Sequence, residues 1–481
     1  MKRFALSWLA SLALFPAFAQ TLEWSVPAPV ADAAFGFLRP QITLCNNVPV
    51  AVWSHAATKK IYASRLVGSV FSAPVEAAPN LPAYAVNWMS HEIASNGDTL
   101  FVTFSDQAMA NIYVVRSLDG GLTFGDTVRV GPSDGSMPVV TDVAVMPDGN
   151  PAVIFIHSEL DGSNARTVIS RSTDGGLSFG PLEDLTALVE GEACDCCKGA
   201  LVADGNRVAL LFRNNHGNIR DIWAVVSHDG GATFTDTVRV DYSNWSVASC
   251  PSSAPAGLWL GDTLVSVFMN GGSGSSRVYA SALDITAVQP PQQHWLEATG
   301  QSGIQNFPAI AGNANALVTV WQQTISGAGS KVMAAQSFNG PNHFDEPIQL
   351  SASLTGSQSY PDIAYANGVF YLVFQHGASS QAYYMTGAMA TTDVATVENS
   401  TSPFTATQNQ TTLNVTLHAD IKSSTLVLID ALGRPLFAHD VKNVKRGSVV
   451  QLNTVQCSDG LYFLSLRSEK GTYAQRVVIA K

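Results

Sequence analysis

Apolar residues along this chain come in short bursts that end, within about eight positions, at Gly, Asp or Asn. Stretches such as Ile112-Tyr113-Val114-Val115-Arg116 and Ile222-Trp223-Ala224-Val225-Val226 are rich in β-branched and aromatic residues and lie between turn-forming clusters. That pattern predicts strands over most of the length. One apolar run differs. Phe4 to Phe15 follows Lys2 and Arg3 and leads to Ala17-Phe18-Ala19 before Gln20, the basic, apolar and small-residue order of a cleavable signal peptide over residues 1–19. No later run approaches the roughly 18 apolar residues of a membrane-crossing helix, so the chain reads as exported and without a transmembrane helix.

A repeat organises the strands. Ser117-Leu118-Asp119-Gly120-Gly121-Leu122-Thr123-Phe124 returns as Ser172-Thr173-Asp174-Gly175-Gly176-Leu177-Ser178-Phe179 and as Ser227-His228-Asp229-Gly230-Gly231-Ala232-Thr233-Phe234, each copy 55 residues after the last. The motif suits a hairpin turn: the Ser hydroxyl and Asp carboxylate accept from nearby backbone N–H groups, the paired glycines supply positive φ, and the Phe returns to the core. A looser signature, an apolar residue shortly after a Pro or small residue, marks seven innermost strands at Ile42, Ile93, Val143, Leu201, Leu258, Ile310 and Ile363. The seventh unit shows no fourth strand, whereas Leu22-Glu23-Trp24-Ser25-Val26 has no partner; donating that segment closes a ring of sheets and removes its edges. The expectation is an all-β chain with a β-propeller over residues 20–395, of seven blades, or of six if one weak copy is an insertion.

The three Ser-x-Asp-Gly-Gly-x-Thr/Ser-Phe copies resemble the Asp boxes, or BNR repeats, of the sialidase superfamily, over roughly residues 30–395. The resemblance implies a sialidase-like propeller with the boxes at the outer ends of its blades, away from the axial pocket, so that they mark fold and not chemistry. A charged fraction of only 13% beside 38 glycines agrees with many tight turns. Charge is divided: residues 20–402 carry a net −17 and residues 403–481 a net +4. An acidic body repels phosphates and argues against a nucleic-acid partner.

Residues 396–410, rich in Thr, Ser and Asn, read as a linker. Residues 411–481 then read as a small β-sandwich. Its Asp430-x-x-Gly433-Arg434 turn, Gly460-x-Tyr462 strand and basic final strand are similar to the sorting domains of the type IX secretion system. The resemblance implies the type IX secretion machinery as a partner, Sec export followed by passage across the outer membrane, and a secreted or surface-attached product. A fibronectin-like adhesion module is the plainer alternative.

Four of six cysteines cluster as Cys194, Cys196, Cys197 and Cys250, and Cys197 and Cys250 each precede the innermost strand of consecutive units. They are expected together, near the mouth of the central channel. Three readings stay open: disulfides, although adjacent Cys196 and Cys197 bond to each other only with strain; a thiolate metal site for copper or zinc; or reactive thiols. Similar Cys-x-Cys-Cys and Cys-Pro pairings with an intervening Arg-Asp, here Arg220-Asp221, resemble those of sialidase-like proteins of unassigned role. Cys45 and Cys457 read as isolated buried thiols.

A sialidase uses three arginines on the substrate carboxylate, a Tyr nucleophile with a Glu, and an Asp acid. The resemblance makes Arg39, Glu192, Arg213, Arg220 and Tyr360 the catalytic candidates, although Phe37-Leu38-Arg39-Pro40 breaks the family's Phe-Arg-Ile-Pro order and only Arg277 occurs in the last three units. Asp142 and Asp362, on innermost strands, suit a cation or a sugar hydroxyl. Trp88, Trp245 and Trp295 suit sugar stacking or the core, and His91 beside Glu92 reads as a packed histidine. Two functions are weighed: a propeller that binds a glycan, a surface protein or a metal ion at its axial face, and a glycoside hydrolase of exo-sialidase type. The second requires Arg39, Tyr360 and one Glu to converge in one axial pocket.

Overall fold

A computed structural model describes residues 21–131, 136–286, 292–296, 303–389, 403–409, 411–430, 435–457, 460–468 and 471–479. The signal segment, most of the linker and residues 431–434 of the Asp430 turn lie outside the described residues. The chain divides into two units, Met1–Met389 and Ala390–Lys481.

The described residues of the first unit form seven antiparallel sheets of four or five strands. Their innermost strands are Leu38–Cys45, Glu92–Asn96, Met137–Val145, Ala200–Asp204, Ala256–Leu260, Ile304–Asn313 and Gln358–Ala366, here sheets one to seven. Each touches the innermost strand of the sheet before and after it, and the seventh touches the first, so the ring closes as a β-propeller. All seven apolar marks read from the sequence fall on these strands. The second strands, such as Val48–Ser54 and Thr99–Ser105, are buried almost from end to end because neighbouring sheets cover both their faces. That double burial is why Val-Pro-Val-Ala-Val-Trp-Ser shows no alternation. Between sheets, Ile42 and the fully buried Trp53 meet Val373 and Ala382, and Phe101 and Val114 meet Val153 and Phe155.

The ring is closed by donation, as the unpartnered N-terminal segment suggests: Leu22–Trp24 pairs with residues 387–389 as the fourth strand of sheet seven. Gly387 permits it, since a Cβ there would lie 2.9 Å from the Trp24 ring.

Each Asp box joins the third and fourth strands of sheet two, three or four. In the first, the Gly121 N–H donates to Ser117 Oγ (2.8 Å), the Ser117 hydroxyl and Thr123 N–H donate to Asp119 Oδ1 (2.7 and 2.8 Å), and the Thr123 hydroxyl donates to Asp119 Oδ2 (2.6 Å). The other two repeat the scheme. An arginine from the third strand of the preceding sheet docks on each box: Arg65 on the Asp119 carbonyl (3.2 Å), Arg116 on Gly175 (2.5 Å) and Arg171 on Gly231 (2.6 Å). The boxes thus fasten sheet to sheet.

The second unit is a sandwich. Phe404–Asn409, Thr412–Leu417 and Val449–Asn453 form one sheet; Pro435–Val444, Ile421–Asp430, Gly460–Ser468 and Gly471–Ile479 form the other. The sandwich thus begins inside the stretch read as linker and before residue 411, because Phe404 is buried in its core. Leu413 and Val415 from the first meet Leu426, Leu428, Leu464 and Leu466 from the second, alternate residues facing inward as two packed sheets require.

Candidate functional site

Four innermost strands lose register at the same point, between Leu38 and Gln41, Val139 and Asp142, Asn306 and Ala309, and Ser359 and Asp362. At each break a non-glycine residue takes positive φ: Arg39 51°, Val140 53°, Phe307 53° and Tyr360 50°. Such conformations cost about 1–3 kcal/mol each and persist where the surroundings enforce them. A bulge re-aims a side chain. Side chains from the preceding sheet occupy two of the backbone donors at the breaks: the Arg39 N–H donates to Gln375 Oε1 (2.9 Å) and the Tyr360 N–H to Gln322 Oε1 (3.4 Å).

Residues at three of these breaks, those of Leu38–Cys45, Ile304–Asn313 and Gln358–Ala366, surround a cavity of about 230 Å³ together with Glu92, Ile93, Lys198 and the 254–256 segment; the break in Met137–Val145 does not line it. One part of its lining is polar, with Arg39, Gln41, Glu92, Lys198 and Asp362; another is built of rings, with Phe307, Tyr360, Pro40, Pro255, Pro308 and Pro361. The Phe307 and Tyr360 ring centroids are 4.4 Å apart, and the Arg39 guanidinium lies 5.5 Å from the Tyr360 centroid. The buried Glu92 carboxylate accepts from Lys198 Nζ (2.7 Å), from Arg39 Nη2 (3.4 Å) and from the Gln41 amide. Lys198 also reaches Asp142 Oδ1 (3.3 Å). Asp142 Oδ2 accepts the Leu201 N–H and Asp362 Oδ2 the Ile42 N–H, both at 2.8 Å, so each aspartate pins the innermost strand of the next sheet.

The electrostatics diverge in and beside this small volume, Asp142 standing behind Lys198 and not in the lining. Burial pushes Asp142 up to about 6, with Lys198 opposing and Glu92 adding. Burial also pushes Asp362 up to about 6. Burial opposes the charge of Glu92 too, but Lys198 and Arg39 together hold it below the ordinary carboxylate range. The Tyr360 phenol is lifted by burial. Two buried polar atoms here, Arg39 Nε and Gln41 Oε1, have no hydrogen-bond partner among the described residues, which is uncommon for interior groups. His91 is packed: its Nδ1 meets the Ser54 and Ser90 hydroxyls (2.9 and 3.1 Å), and burial pushes it down to about 4.

Of the five catalytic candidates, Arg39 and Tyr360 meet in this pocket, and the glutamate that joins them is Glu92, not Glu192. Glu192 pairs with Asn215 in a two-residue strand beside sheet four and does not line the cavity. Arg213 and Arg220 also lie elsewhere. Arg213 donates to the Arg220 and Met269 carbonyls (2.8 and 2.7 Å) and stacks 5.4 Å from Trp245; Arg220 donates to the Val247 carbonyl (3.0 Å) and to Cys194 Sγ (2.9 Å). Among the described lining residues Arg39 is the one arginine, so a clamp of three is not assembled there. Glu92 and Lys198 were missed, although Glu92-Ile93, Asp142-Val143 and Asp362-Ile363 place an acid in the same position before three of the apolar marks. Trp88 packs partly buried against the core, and the Trp295 side chain lies outside the described residues.

The four clustered cysteines do come together. Cys196 and Cys250 are joined as a disulfide with Cα atoms 6.3 Å apart. The sulfurs of the buried Cys194 and Cys197 lie 2.9 Å apart, and all four lie within 4.8 Å of one another. They do not line the cavity, but Lys198 follows Cys197 directly and the lining segment 254–256 follows Cys250 closely. Cys45 and Cys457 are buried in separate cores.

Residues 407–480 match the family model of the secretion system C-terminal sorting domain. The second unit is a type IX sorting domain. This sorting domain marks the protein for secretion and for export to the outer membrane or cell surface. No helix among the described residues is long and apolar enough to cross a membrane. No curated protein matches the chain. Among solved structures it is similar to Trypanosoma rangeli sialidase in complex with the inhibitor DANA, at 11% identity over 95% of this chain and 89% of that one, TM-score 0.43. It is also similar to Penicillium chrysogenum alpha-L-arabinanase complexed with arabinobiose, at 12% over 63% and 93%, TM-score 0.43. A Dyadobacter fermentans protein of unknown function matches at 13% over 76% and 99%, TM-score 0.43. The propeller assignment stands on the chain's own closed ring of sheets.

Proposed function

We propose that the propeller is an exported saccharide-binding protein whose axial pocket takes one terminal sugar unit. The observation that carries this reading is the wall of one small cavity, polar on one part with Arg39, Gln41, Glu92, Lys198 and Asp362 and built of rings on another. A sugar hydroxyl accepts and donates at once, so vicinal hydroxyls suit the mixed donors and acceptors of that wall. The rings of Tyr360, Phe307 and the prolines suit the C–H face of a pyranose. The cavity lies below the roughly 300–1,000 Å³ of drug-sized sites, as a pocket for a chain end should. Calorimetry of the secreted protein against neutral and acidic mono- and oligosaccharides tests it. Arg39→Met and Gln41→Leu are each expected to weaken binding about tenfold, or 1.4 kcal/mol. If no saccharide binds at millimolar concentration, or if binding ignores both substitutions, the reading fails.

A second reading, glycosidic cleavage in the same pocket, is favoured by Asp362 and Glu92, which both line it. One carboxyl is pushed up and the other held down, the divergence by which acid and base roles are told apart. In this reading Asp362 protonates the leaving oxygen while a water attacks the sugar carbon and gives its proton to the ionised Glu92, and turnover declines as pH rises through about 6, where Asp362 loses its proton. Chromatography of released sugar decides it: Asp362→Asn should abolish release while retaining binding. Arg39 as the single guanidinium favours a neutral or singly anionic sugar over the three-arginine recognition of an exo-sialidase.

A further inference from the structure

Arg213 and Arg220 are buried charges without an evident reason. They are 1% and 7% exposed. Among the described residues neither pairs with a carboxylate; their bonds run to the carbonyls of Arg220, Met269 and Val247 and to a sulfur, and Arg213 Nε has no partner at all. A buried charge left without its counter-charge is expensive, so folds that keep one supply an anion nearby. The anion-capable atoms at hand are the sulfurs of the cysteine cluster. Arg220 Nη1 donates to Cys194 Sγ at 2.9 Å, and the Cys194 N–H donates to the Arg213 carbonyl at 2.9 Å.

The sulfur geometry suggests what makes them anionic. All four sulfurs lie within 4.8 Å of one another. A tetrahedral ion with metal–sulfur bonds of about 2.3 Å holds its sulfurs about 3.8 Å apart; those of Cys194 and Cys196 are already 3.7 Å apart, whereas Cys194 and Cys197, at 2.9 Å, and the bonded Cys196 and Cys250 must separate to admit it. We infer that Cys194, Cys196, Cys197 and Cys250 form a tetrathiolate site for a divalent cation of the zinc class, with Arg213 and Arg220 as its counter-charges.

A divalent ion on four thiolates leaves two negative charges, which the two guanidinium groups cancel. A monovalent soft ion would leave three, and two disulfides would leave both arginines uncompensated. Loading is redox-neutral: the cation displaces one proton from each of four thiols and no sulfur changes oxidation state. The Cys196–Cys250 disulfide is the product of the competing oxidation, which removes two ligands. Four protein ligands leave no open position, so the ion is structural. It ties the loop that presents Lys198 to the loop that presents Pro255, on two sides of the axial cavity.

The test uses the full-length chain purified under anaerobic conditions and the protein secreted by its host. Elemental analysis and thiol titration in denaturant with chelator are expected to give one zinc per chain and no disulfide among these four cysteines. Metal-free protein with one or two disulfides among them overturns the inference. Cobalt exchanged for zinc in the unsubstituted protein is expected to give an intense thiolate-to-metal charge-transfer absorption, and full cobalt occupancy without it overturns the four-sulfur assignment. Arg220→Met leaves every sulfur in place and should lower zinc affinity about 10–100-fold in chelator competition; unchanged affinity removes the counter-charge role.

Discussion

The rim and the axis of the propeller both depend on aspartate and use it in opposite ways. At the rim, hydroxyl and N–H donors of the same turn hold Asp174 and Asp229 down to about 2, and they do the same for Asp119 against the slight burial that opposes them. At the axis, burial pushes Asp142 and Asp362 up to about 6. The rim carboxylates find partners within four residues, whereas Asp142 and Asp362 bond backbone 59 and 320 residues away. The difference teaches where stability and chemistry reside. An exposed carboxylate saturated by its own turn has nothing left to offer a ligand, while a buried one held near neutral pH by its surroundings is poised to exchange a proton.

The largest test of that contrast is Glu92→Ala. It leaves Lys198 and Arg39 without their main counter-charge and should destabilise the protein by about 3–5 kcal/mol in urea unfolding, as breaking a buried ion pair does. A loss no larger than that of an ordinary surface substitution would mean the axial charges do not depend on one another. Arg116→Met probes the rim. Removing the donor to the Gly175 carbonyl should cost about 1.5–3 kcal/mol and leave saccharide binding unchanged; altered binding would show the two regions to be coupled.

The pH dependence separates them further. Axial aspartates, raised in the folded state, add stability that is fully present below their ordinary 3.8 and is lost as pH rises through about 6. Rim aspartates, depressed in the folded state, add stability that is present above 3.8 and is lost as pH falls through about 2. Between pH 7 and 5 the unfolding free energy of the native chain should therefore gain on that of Asp142→Asn/Asp362→Asn by an amount on the order of 2 kcal/mol, because the opposing loss from His91, held down to about 4 by burial, is common to both. The loss below pH 4 should remain in both. The smallest effect is expected from Asp174→Ala, whose exposed carboxylate serves one turn: the melting temperature should fall by a few degrees, and binding at the axis should not change.

The cysteine cluster adjoins the axis along the chain. Lys198 follows Cys197 and the lining segment 254–256 follows Cys250 closely, so its redox or metal state should be felt at the axis even though no cysteine lines the cavity.

From the sequence alone, this protein was legible wherever partners lie within one turn or one strand period. The Asp boxes, the seven innermost strands, the donated Leu22–Trp24 and the sorting tail each leave a local mark, because their hydrogen bonds or their alternation are short-range. Asp142, Asp362, Arg39 and Tyr360 were placed near the axis by register alone. Glu92 was passed over in favour of Glu192, and Arg213 and Arg220 were assigned to a site they do not reach, because nothing local records which side chain a bulge turns inward. Only the closed ring decided that Glu92 from sheet two, Lys198 before sheet four and Asp142 from sheet three would share one ammonium group. Burial there raised Asp142 and Asp362 while the facing Lys198 and Arg39 held Glu92 down, and neither effect is encoded in composition or spacing.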